Sequence, residues 1–131
     1  MPPAPHVLIV DDHPAVRAVL AHVVTQFAPD ATIAETANGA EALHAIAEHQ
    51  PDLIITDYQM PVMDGLELIR RLRAQGAAIP ILVLSSDASV AEAILTSGAT
   101  AFLAKPFSIR ELRKVLRTLL SDDAESSAVG E

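Results

Sequence analysis

Two aspartates, Asp11 and Asp12, follow directly on the apolar run Val7-Leu8-Ile9-Val10. A third, Asp57, ends the run Leu53-Ile54-Ile55-Thr56. Ser85 and Ser86 close Ile81-Leu82-Val83-Leu84, and Lys105 follows the stretch from Ala101 to Ala104. If these run ends converge, like charges about 4 Å apart repel by ~4 kcal/mol at an effective dielectric near 20. Such a cluster requires a cation, a proton or a lysine as compensation. An all-oxygen acidic site suits Mg2+, which takes one or two carboxylates and keeps several waters. Lys105 supplies a second, fixed positive charge. The same set suits phosphoryl transfer to a carboxylate. Asp57 is then the ionised nucleophile, and Lys105 pairs with a phosphoryl oxygen. The Ser85 hydroxyl can donate to the phosphorylated form alone, which biases a conformational equilibrium.

Convergence depends on how the chain alternates. The four-residue apolar runs suit strands buried on both faces. Thr32 to Thr36 reads as a less apolar strand at an edge. After Pro14, the residues Val16, Val19, Leu20, Val23, Val24 and Phe27 fall on one helical stripe. Asn38 with Glu41, Asp64 with Glu67 and Ser108 with Glu111 are three capping boxes. They open a helix to about His49, a helix marked by Leu66, Ile69 and Leu72, and a last helix. Ile109, Leu112, Val115, Leu116, Leu119 and Leu120 line that last helix. Gly76 ends the third helix. A fourth, with Val90, Ala93 and Ile94 inward, runs to Gly98. The pattern is βα five times over, which predicts an α/β fold with a doubly wound parallel sheet. In the order 2-1-3-4-5, strands one and three are neighbours. Ligands in such sheets bind at the carboxyl ends of the strands, where the acidic residues and the lysine stand.

The composition sets bounds on this reading. A chain of 131 residues reads as one domain. Half its residues are apolar and only 3% aromatic, so the core is aliphatic. A net charge of -8 disfavours nucleic acid and anionic membrane as direct partners. The absence of Cys excludes disulfides, thiolate catalysis and Cys-ligated zinc. No stretch approaches a membrane span, and the N-terminus does not read as a signal peptide, so a cytoplasmic location is expected. Residues 1–5, rich in proline, read as a flexible arm, and the acidic stretch 121–131 as a disordered tail.

Three motifs then carry a resemblance. They are Val7-Leu8-Ile9-Val10-Asp11-Asp12, the stretch from Asp57 through Met60-Pro61 to Asp64-Gly65, and Lys105-Pro106-Phe107. Together they resemble the response-regulator receivers of two-component signalling, the CheY-like family, over residues 6–120. The resemblance implies a flavodoxin-like fold and a phosphorelay function. Asp57 matches the phosphoacceptor. Asp12 and Asp11 match Mg2+ ligands, along with the backbone carbonyl of Gln59; Mn2+ is the expected substitute. Ser85 matches the hydroxyl switch residue, Phe102 the aromatic rotamer switch, and Lys105 the family lysine, whose peptide bond to Pro106 is expected to be cis. The implied partners are a sensor histidine kinase or a histidine phosphotransfer protein, then a downstream protein target or a second copy. The expectation is a stand-alone switch that assists its own phosphorylation and dephosphorylation without being an enzyme in the ordinary sense. The stretch from Ser85 to Gly98 is slightly shorter than the family pattern, and Phe102 carries no hydroxyl.

Plainer readings stand beside these. Asp11 and Asp12 alone would merely cap the first helix. Asp64-Gly65 is a turn and helix cap. His6, His13, His22, His44 and His49 are scattered and read as solvent-facing. Arg70, Arg71 and Arg73 read as a solvated helix face, as do Arg110, Arg113, Lys114 and Arg117, which also offer a surface to an acidic partner. Two other classes compete. A pseudo-receiver that no longer switches is opposed by the intact acidic set. An aspartyl-phosphate phosphatase would carry an acid where Gln59 stands. No glycine-rich turn follows the first run, so a dinucleotide site is not expected.

Overall fold

A computed structural model describes residues 4–120. The first three residues of the expected arm and the whole expected tail lie outside that range. Five strands, β1 (His6–Val10), β2 (Thr32–Thr36), β3 (Leu53–Asp57), β4 (Ile81–Ser85) and β5 (Ala101–Ala104), form one parallel sheet of order β2-β1-β3-β4-β5. Helices α1 (Pro14–Phe27), α2 (Gly39–Glu48), α3 (Gly65–Ala74), α4 (Ala91–Thr96) and α5 (Ile109–Leu120) connect and cover it. The fold is therefore the flavodoxin-like (βα)5 arrangement.

Strand alternation divides the core into two layers, because successive side chains leave opposite faces of a sheet. Val7, Ile9, Leu53, Ile55, Leu82 and Leu84 pack with Leu20, Val23 and Val24 of α1 and Leu112, Leu116, Leu119 and Leu120 of α5. Leu8, Val10, Ile54, Ile81 and Val83 pack with Ala42 of α2, Leu68, Ile69 and Leu72 of α3 and Ile94 of α4. Burial on both faces explains why β1, β3 and β4 read as unbroken apolar runs. The edge strand β2 has no residue fully buried. Its start is tied down by the Thr32 N–H, which donates to the carbonyl of the buried Pro5 (2.9 Å).

All three N-cap bonds are formed, and one of the three closes into a full box. Asn38 Oδ1 accepts the Glu41 N–H and Asp64 Oδ1 accepts the Glu67 N–H, each at 2.9 Å. Ser108 and Glu111 cap each other reciprocally, at 2.8 and 3.0 Å. Gly76, at φ +83°, ends α3 as expected.

Four inward assignments differ. Val19 is 58% exposed, since it lies at the margin of a stripe centred on Leu20, Val23 and Val24. Ala93 is exposed, because the six-residue α4 has room to bury only Ile94. In α3 it is Leu68 that is fully buried, with Leu66 half-buried. Ile109, 51% exposed, opens α5 before the helix turns its apolar face to the sheet. The short stretch after β4 folds as a 3-10 turn, Ala88–Val90, running into α4.

Candidate functional site

Asp57 is the last residue of β3, paired in register with Leu84 of β4, and its side chain is nearly closed off from solvent. The Tyr58 N–H continues the sheet by donating to the Leu84 carbonyl (2.9 Å). The chain must then turn sharply. Gly65 makes this possible: a Cβ there would stand 2.7 Å from the Asp57 carbonyl oxygen. The Gly65 N–H instead donates to the Tyr58 carbonyl at 2.8 Å. Between them Val62 adopts φ +70° while 82% exposed, a left-handed conformation that is rare for a β-branched residue. Gln59 stands exposed in the same loop, two residues past Asp57.

Lys105 reaches Asp57 from the far side of β4. Its N–H donates to the Ser85 carbonyl (2.8 Å), its peptide bond to Pro106 is cis, and its Nζ lies 3.0 Å from Asp57 Oδ1. Burial pushes the Asp57 carboxyl above its ordinary pKa, and the charge of Asp11 adds to the rise. The Lys105 hydrogen bond and charge oppose it. The carboxyl is thus held between desolvation and a cation, a balance that favours a reactive group over a solvated one.

Asp11 and Asp12 emerge from the end of β1, next to β3. Asp11 is fully buried. Its Oδ1 accepts the His13 N–H at 2.9 Å, while its Oδ2 has no hydrogen-bond partner. Asp12 Oδ1 is also buried without a hydrogen bond, although the His13 ring stands within ion-pair range. The plain capping reading fails here: α1 has no acidic residue in its first turn, and its N-cap is His13. Two buried carboxylate oxygens without donors are costly unless a cation meets them. The two aspartates offer oxygen donors, so they fit a hard divalent ion such as Mg2+. Arg17, one turn into α1, donates to the Asp11 carbonyl and pairs with Glu35 at 3.1 Å.

Ser85 ends β4 with 3% exposure. Its Oγ accepts the Asp87 N–H (3.0 Å), which leaves the hydroxyl proton available to another acceptor. Asp87 lies two residues beyond Ser85. Its carboxylate caps the 3-10 turn through the Ser89 N–H and hydroxyl, which hold its pKa low. Phe102 pairs in register with Val83 and packs, partly buried, on the layer of α2, α3 and α4. By strand alternation it shares the face of Ser85, two residues before Ala104, the registered partner of Ser85.

The structure thus brings Asp57 and Lys105 into contact and Asp11 and Asp12 into a second group. Asp11 is close enough to Asp57 for its charge to act there. Four residues read as solvent-facing also make contacts within the chain. His13 lies against both N-terminal aspartates, with only its position before Pro14 as a signal. His6 and His49 stack at 4.1 Å between ring centroids. Arg73 is no solvated residue: its guanidinium donates to the carbonyls of Gly98 (3.0 and 2.8 Å) and Ala77 (2.9 Å).

Comparison with known proteins agrees with this geometry. The model of the response regulator receiver domain matches residues 7–117. Response regulator MprA of Mycobacterium avium (strain 104) is 42% identical over 130 residues, covering 94% of this chain and 56% of that protein. MprA of Mycolicibacterium vanbaalenii is 39% identical over 127 residues, covering 95% and 54%. The chain therefore spans about half the length of the curated relatives it matches. Among solved structures, chemotaxis response regulator CheY4 of Vibrio cholerae superposes with a TM-score of 0.77 at 32% identity, over 88% of this chain and 98% of that one. The receiver domain of sensor histidine kinase PA1611 from Pseudomonas aeruginosa PAO1, with a magnesium ion coordinated in its active site cleft, gives 0.79 at 27% identity, over 90% and 98%. With its sheet order, its buried Asp57–Lys105 pair and a family match spanning nearly all the described residues, this chain belongs to the response-regulator receiver family of two-component signalling.

Proposed function

We propose that this receiver is a phosphorylation switch that accepts a phosphoryl group on Asp57. The observation that carries the reading is the buried Asp57 carboxylate, held 3.0 Å from Lys105 and within reach of the charge of Asp11, whose Oδ2 lacks a partner. The donor is a phosphohistidine on a sensor histidine kinase or a histidine phosphotransfer protein. A carboxylate oxygen of Asp57 attacks phosphorus, the phosphorus–nitrogen bond breaks, and the donor imidazole leaves with that electron pair. Asp11, Asp12, Asp57 and the Gln59 carbonyl would hold a Mg2+ ion, which when bound would supply positive charge to offset that of the transferring group; Mn2+ would serve in its place. Lys105 pairs with a second phosphoryl oxygen, where a preorganised cation stabilises developing charge.

Ser85 then donates its free hydroxyl proton to the phosphoryl group. Phe102 follows by repacking, since the two share one face of neighbouring strands. The altered surface of β5 and α5 is read by a downstream protein or a second copy. The setting is cytoplasmic. Nothing in this chemistry turns over a substrate, so the domain is a signalling acceptor that assists its own phosphorylation and hydrolysis.

The test is incubation with a small phosphoryl donor, with and without Mg2+, followed by intact-mass measurement. One added phosphoryl group that needs Mg2+ and is absent from Asp57→Asn supports the reading. Incorporation that persists in Asp57→Asn refutes it.

A further inference from the structure

Beside the Asp11 and Asp12 carboxylates stands one nitrogen donor. His13 Nδ1 lies 3.2 Å from Asp12 Oδ1 and 3.3 Å from Asp11 Oδ1. Donor atoms of all three residues fall within 4.8 Å of one another. The second observation is the fully buried Asp11, whose Oδ2 has no hydrogen-bond partner.

The donor chemistry discriminates between ions. Donors about 2.0–2.1 Å from a tetrahedral Zn2+ stand roughly 3.3 Å apart. Donors at the same range around an octahedral Mg2+ stand roughly 2.9 Å apart. The two separations from His13 Nδ1 are compatible with a tetrahedral edge. An imidazole nitrogen also favours zinc over magnesium, which prefers oxygen and holds its waters. The position is fixed from behind: the His13 N–H is bound to Asp11, and Pro14 opens the helix. It is also open from the front, since the His13 side chain is 69% exposed. The nearby Arg17 guanidinium is engaged by Glu35.

We infer that His13, Asp11 and Asp12 form a Zn2+ site that competes with Mg2+ for the two aspartates. Zinc bound there holds the switch off, a consequence that rests on the function proposed above. Zinc binding itself does not depend on that function.

The experiment is calorimetric titration of the full chain with Zn2+ alone, with Mg2+ alone, and with Zn2+ in the presence of Mg2+. The variants are His13→Ala and His13→Asn, the latter a favourable N-cap that preserves the helix start. His44→Ala and His49→Ala are controls for zinc held elsewhere. The expected result is one Zn2+ per chain, weakened about tenfold or more in both His13 variants, with Mg2+ affinity nearly unchanged. Added Mg2+ raises the apparent Zn2+ dissociation constant, and both control variants behave as wild type. Zn2+ affinity unaffected by either His13 substitution, lost in a control variant, or indifferent to Mg2+ overturns the inference. No phosphoryl donor is present, so a chain that fails to accept phosphate still gives a clear zinc result.

Discussion

Replacing Asp11 by Asn tests the electrostatic core of the site. Asp11 is fully buried, and its donor atom lies within 4.8 Å of that of Asp12. Two like charges at that separation repel by about 3 kcal/mol at an effective dielectric near 20. Asp12 is 31% exposed, so screening lowers this to on the order of 1–2 kcal/mol. The asparagine Oδ1 can keep the His13 N–H. Its amide also places a donor where Asp11 Oδ2 has no partner.

Asp11→Asn is therefore expected to stabilise the metal-free protein by about 1–2 kcal/mol. For a domain of this size that is a Tm rise of roughly 5 °C. Magnesium narrows or closes that gap. A ligand at a hundredfold excess over its Kd adds about 2.7 kcal/mol to the wild type. The variant, short of one charged ligand, gains half of that or less. Thermal unfolding followed by circular dichroism, in EDTA and then in excess Mg2+, gives both comparisons. A variant less stable than wild type in EDTA, or a wild type whose Tm ignores Mg2+, refutes the reasoning.

Further outcomes follow from individual contacts. The Asp57 pKa is raised, so its carboxyl supports the fold fully below the ordinary value of 3.8, and that support is lost as pH rises through the raised value. Asp57→Asn is expected to be the more stable protein at neutral pH, with the gap closing on acidification through that window; urea midpoints against pH measure it, and a pH-independent gap contradicts it. Gly65→Ala sets a methyl group 2.7 Å from the Asp57 carbonyl and costs about 1–3 kcal/mol in urea unfolding. An unchanged midpoint would show that the turn after β3 has slack. Arg73→Met removes the hydrogen bonds to Gly98 and Ala77 and costs about 2–3 kcal/mol. Hydrogen exchange should rise first in the turn between α4 and β5, and uniform protection there would argue against the clamp.

Much of the frame is local and so is legible in the chain. Val7–Val10, Leu53–Thr56 and Ile81–Leu84 are too short for helices and too apolar for an exposed strand. Asn38, Asp64 and Ser108 announce helix starts because the capping partner is always three residues on. The Asp57–Lys105 pair follows once the strands are ordered, since parallel strands deliver their ends to one edge. Which side chains lie at the margin of a stripe is less legible: Val19 and Leu20 are neighbours in the chain, yet one faces solvent and the other the core.

By itself the sequence determined the order of elements, the parallel sheet and the residue types at the strand ends, because periodicity and capping act over a few residues. Only the tertiary structure decided that His13 leans on two aspartates and that Arg73 ties α3 to a carbonyl 25 residues away. It alone shows that Asp11 keeps an oxygen without a donor. Such pairings are set by distance and burial in the packed chain, and no local pattern of residues encodes either.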